Sequence, residues 1–152
     1  MDKETLDLLA AIELGKVANE ELIQWAIASL ERGIESQSLI LLAGLLAPES
    51  GGAIELFKKS IAELGIHAPS SKELMIYQAK HIAQQIMHGE IPPSLGCAQI
   101  GEIAIRLDWP NELAEFTLLS HEQTEHENLG ITSESVKDAI FEAAKKLSLS
   151  AG

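Results

Sequence analysis

The chain has 152 residues, with 23 acidic side chains against 11 basic ones and a formal net charge of -12. That length buries roughly two-thirds of the surface its unfolded form exposes without covalent staples, and a single cysteine, Cys97, excludes an internal disulfide. So negative a field repels phosphate backbones and anionic lipid, which sets nucleic acid and membrane surfaces aside and leaves two uses for the charge: solubility, or attraction of a basic protein partner.

Met1-Asp2-Lys3-Glu4 runs straight into an amphipathic pattern rather than a basic region followed by an apolar core, so no signal peptide is expected. The longest apolar run, Leu39 to Ala47, is about half the length a bilayer requires. The expectation is a cytoplasmic protein of one all-helical domain, 1–152. Apolar residues recur at helical spacing almost throughout, with little alternation of period two. The pattern predicts helices over 3–14, 20–32, 37–46, 51–64, 71–88, 93–107, 111–126 and 133–148: an all-α fold of about eight short helices, either a multi-helix bundle or a short helical-repeat-like array.

Glycine followed closely by a branched apolar residue marks the presumed helix ends: Gly15-Lys16-Val17, Gly33-Ile34, Gly65-Ile66, Gly89-Glu90-Ile91 and Gly130-Ile131. Glycine takes the left-handed conformation that closes a helix, and the apolar residue folds back on the last turn. Asn19, Ser36, Ser70, Pro92 and Thr132 then supply capping or first-turn residues for the next helix. The third helix, with Leu39, Ile40, Leu41, Leu42, Leu45 and Leu46, is apolar on every side and is expected at the centre, surrounded by other helices. Ile54, Phe57, Ile61 and Leu64 form a stripe in the fourth. In the sixth, Gly101 implies close approach of a neighbouring helix, and Cys97 reads as a small buried hydrophobe. The last helix presents Val136, Ala139, Ile140, Ala143, Ala144 and Leu147 on one face, with Lys137, Asp138, Glu142 and Lys145 opposite. The segments around Gly33 and Gly89 superpose at a spacing of 56, pairing Leu30 with Ile86, Ser38 with Ser94 and Leu39 with Leu95. These matches are too few to prove a repeat, and an irregular bundle remains the default.

Dense ligand-type chemistry occurs once, in His121-Glu122-Gln123-Thr124-Glu125-His126-Glu127. A zinc-protease helix needs histidines four apart, and these are five apart, so the motif fails. His121 with Glu125 and Glu122 with His126 read as charge-paired positions at a solvated helix end, with metal binding dependent on further ligands. Tyr77, His81, Gln84 and His88 share one face of the fifth helix, but the two histidines stand about 10 Å apart along its axis, too far to share one metal. Cys97 has no neighbouring base, there is no glycine-rich phosphate loop, and no cofactor is expected. Trp109, between Asp108 and Pro110 at a helix junction, either plugs the core, which is the expectation, or stands out as an anchor for a partner. Around it Asp108, Glu112 and Glu115 form an acidic neighbourhood that continues through Glu122, Glu125 and Glu127.

Ile86-Met87-His88-Gly89-Glu90-Ile91-Pro92-Pro93, followed by Leu107-Asp108-Trp109-Pro110-Asn111-Glu112-Leu113-Ala114-Glu115-Phe116, resembles a segment of small bacterial proteins of unknown function. In those a helix ends in Gly-Glu-Ile, a proline-led helix follows, and a Pro-Glu-Leu-like start opens the next. Some of them resemble immunity proteins of bacterial toxin systems. The resemblance implies a small, acidic, helical interaction protein and brings no catalytic motif. The leading expectation is therefore a non-enzymatic protein-interaction module, most concretely an immunity-type inhibitor. It would bind a basic toxin through Asp108, Trp109, Glu112, Glu115, Glu122 and Glu125. The alternative is a homo-oligomeric helical scaffold or regulatory subunit.

Overall fold

Three of the described helices begin where a side-chain oxygen accepts an orphan backbone N–H. The Asp2 carboxylate accepts from the Thr5 N–H at 2.8 Å, the Ser36 hydroxyl from Leu39 at 3.2 Å, and the Ser70 hydroxyl from Glu73 at 3.2 Å. The Glu21 side chain reaches back to the Ala18 N–H at 3.1 Å. A computed structural model describes residues 1–46, 51–120 and 134–149. In chain order its elements are α1 (Lys3–Glu13), α2 (Asn19–Glu31), α3 (Gln37–Ala43), α4 (Ala53–Glu63), α5 (Ser71–Met87) and α6 (Pro93–Arg106). A 3-10 turn (Asn111–Leu113) then runs into α7 (114–120), and α8 is Glu134–Leu149. The fold is all-α, with no strand among the described residues.

Four of the five glycine joints close as their spacing predicts. Gly15, Gly33, Gly65 and Gly89 have φ between 68 and 83°, and the following residue donates back to the last full turn, as Ile34 does to the Ser29 carbonyl and Ile66 to the Ile61 carbonyl, both at 3.0 Å. Gly130-Ile131 and the Thr132 cap lie outside the described residues. One helix is clearly shorter than its pattern: α3 stops at Ala43 with Gly44 as its C-cap, leaving Leu45 and Leu46 beyond it.

The chain divides into two compact units, Met1–Leu74 and Met75–Gly152, the division falling inside α5. In the first, α3 packs on α2 and α4, and α2 also meets α1 and α4. Leu22, Trp25, Leu39, Leu42, Phe57 and Ile61 fill the space between them. The Trp25 ring meets Phe57 edge-on, with centroids 4.7 Å apart and planes at 76°. Its indole N–H donates to the Thr5 hydroxyl at 3.1 Å, and that hydroxyl also hydrogen-bonds the Asp2 carboxylate, holding Asp2 below the ordinary range.

The expectation that α3 is enclosed on every side does not hold. Ser38, Leu39 and Leu42 face inward, but Ile40 is 51% and Leu41 54% exposed, and Leu46 stands almost entirely in solvent. Hydropathy alone counted six apolar residues; two neighbouring helices cover only one side. Ile54, in the fourth-helix stripe, is likewise partly exposed, whereas Phe57 and Ile61 are buried.

In the second unit α6 packs on α8 and on the 3-10 turn. Cys97, Ile100, Ile103 and Ala104 of α6 are buried, as are Val136, Ile140, Ala143, Ala144 and Leu147 of α8. Ala139, assigned to that stripe from its spacing, instead faces solvent. Two glycines admit close neighbours: a Cβ on Gly96 would fall 2.5 Å from the Ile86 side chain, and one on Gly101 2.9 Å from the Ser120 hydroxyl. The close approach expected at Gly101 is thus present, made by α7.

Candidate partner-binding site

The chain leaves α6 through a joint that repeats the glycine geometry without a glycine. Asp108 donates its N–H to the Ile105 carbonyl at 3.1 Å, and Trp109 donates to the Ala104 carbonyl at 2.7 Å, the same pair of bonds that closes α2 at Gly33 and Ile34. Asp108 and Trp109 have φ of 58 and 52°. Aspartate tolerates this left-handed region better than most side chains, but a tryptophan there is strained, the more so because Pro110 restricts the residue before it. Strain of this kind persists only where surrounding structure enforces it. Here the enforcement is packing: Pro110, Leu113 and Phe116, the next inward positions, are all buried.

The same phase turns the remaining side chains outward. Trp109 is 58% exposed, so the expectation of a core plug is overturned: two consecutive left-handed residues rotate the indole away from the interior that α6 and the 3-10 turn enclose. Asp108, Glu112 and Glu115 are exposed as well. The structure therefore brings Asp108, Trp109, Glu112 and Glu115 to the surface of one continuous corner. Glu115 forms an ion pair with Lys146 of α8 at 3.6 Å, which, between two exposed side chains, is worth at most about 1 kcal/mol and stays open to exchange with another cation. Glu122 and Glu125, the other two proposed contacts, lie outside the described residues, as does the whole His121 to Glu127 group.

Of the other groups singled out by spacing, Tyr77 and His81 are half-buried on α5 while Gln84 and His88 are exposed. Among the described residues no three metal-ligating side chains come together. Burial pushes the Cys97 thiol up to about 11, which keeps it protonated and unreactive at neutral pH. No helix among the described residues is long and apolar enough to cross a membrane.

Sequence reasoning missed the left-handed pair. The signal available was a helix of good periodicity ending in Leu107-Asp108 with proline two residues on, since proline often follows a C-cap and aspartate is among the few residues that substitute for glycine there. Comparisons with protein-family models, with curated proteins and with solved structures found no match to this chain.

Proposed function

We propose that this chain is a non-enzymatic interaction module of the bacterial cytoplasm that binds a basic protein partner through the Asp108–Glu115 corner, its most concrete form being an immunity-type inhibitor of a basic toxin. The observation that carries the reading is Trp109, a large amphipathic ring held in solvent on a backbone fixed by buried Pro110, Leu113 and Phe116. A pre-positioned indole offers contact area at little entropic cost, and arginine or lysine side chains are drawn both to its face and to the carboxylates beside it. The net charge of -12 steers a cationic partner toward the chain and makes the association salt-sensitive.

The test is affinity capture from the native cells at low and raised salt with three baits: the wild-type chain, Trp109→Ala, and the double charge reversal Glu112→Lys with Glu115→Lys. The expected result is a basic protein that the wild type retains at low salt, releases at raised salt, and that both variants fail to retain. Recovery of no basic protein, or equal recovery by all three baits, overturns the reading.

A further inference from the structure

We draw no further inference here: the strongest candidate, the outward face of α6 on which Leu95, Ala98 and Ile105 stand exposed on the way to Trp109, is an unpartnered apolar face, and nothing in the structure shows what covers it.

Discussion

Trp25 and Trp109 stand in the two units of this chain as opposite uses of the same side chain. Trp25 is 3% exposed, edge-on to Phe57 and hydrogen-bonded through its indole N–H; Trp109 is 58% exposed on a left-handed backbone. Trp25 sits mid-helix, where the regular backbone directs it between α1 and α4. Trp109 sits one residue past a helix end, where the joint itself rotates it outward. A tryptophan in this protein is thus buried or exposed according to the backbone that carries it, not its local hydropathy.

The largest effect expected from probing that contrast is at Trp25. Trp25→Ala should cost about 3–5 kcal/mol in a denaturant melt, since it empties a core site that cannot collapse fully and leaves Phe57 without its partner. Trp109→Ala should stay within about 0.5 kcal/mol of wild type; a comparable loss at both positions would break the distinction. Next comes Gly96→Ala, expected to cost about 1–3 kcal/mol by overpacking, because the new methyl would meet a buried Ile86 at 2.5 Å with little room to turn aside. Asp108→Gly should act in the other direction, raising stability by about 1 kcal/mol as the left-handed C-cap loses its steric penalty. A thermal melt that leaves this variant unchanged would mean that the joint carries no strain at Asp108.

The smallest effect is one of pH, and it belongs to the first unit. The Glu63 carboxylate accepts hydrogen bonds from the Ser38 hydroxyl and from the Ser38 N–H at 2.9 Å, tying the end of α4 to the start of α3. These bonds hold Glu63 below its ordinary value of 4.5, the hydroxyl contributing most. A carboxyl depressed in the folded state stabilises it fully above the unfolded-state value and loses that contribution as pH falls through the lowered one. Stability in urea should therefore decline on acidification below about pH 4.5, and Ser38→Ala should reduce the part of that decline which Glu63 carries.

The helix spans were legible because their causes lie within a few residues. Ser36 and Ser70 sit where their hydroxyls cap α3 and α5, and Gly15, Gly33, Gly65 and Gly89 sit where each joint needs a positive φ. Of the site, the acidic character of the Asp108–Glu115 stretch could be read directly, because charged side chains on a short turn and helix start default to solvent. Its defining feature could not. Leu107-Asp108-Trp109-Pro110 signals a helix end at Asp108, but nothing in it says that Trp109 turns left-handed as well; that goes with the burial of Pro110, Leu113 and Phe116 together.

By itself, then, the sequence determined the all-α class, the positions of most helix starts and stops, the net charge and the chemistry it discourages, all of which depend on local geometry or on composition. Only the tertiary structure decided which apolar residues are buried. Leu39 and Ile40 are neighbours of like hydropathy, yet one is sealed and the other half in solvent, because burial is set by what lies opposite a side chain. For α3 that is α2 and α4 on one side and, among the described residues, open surface on the other.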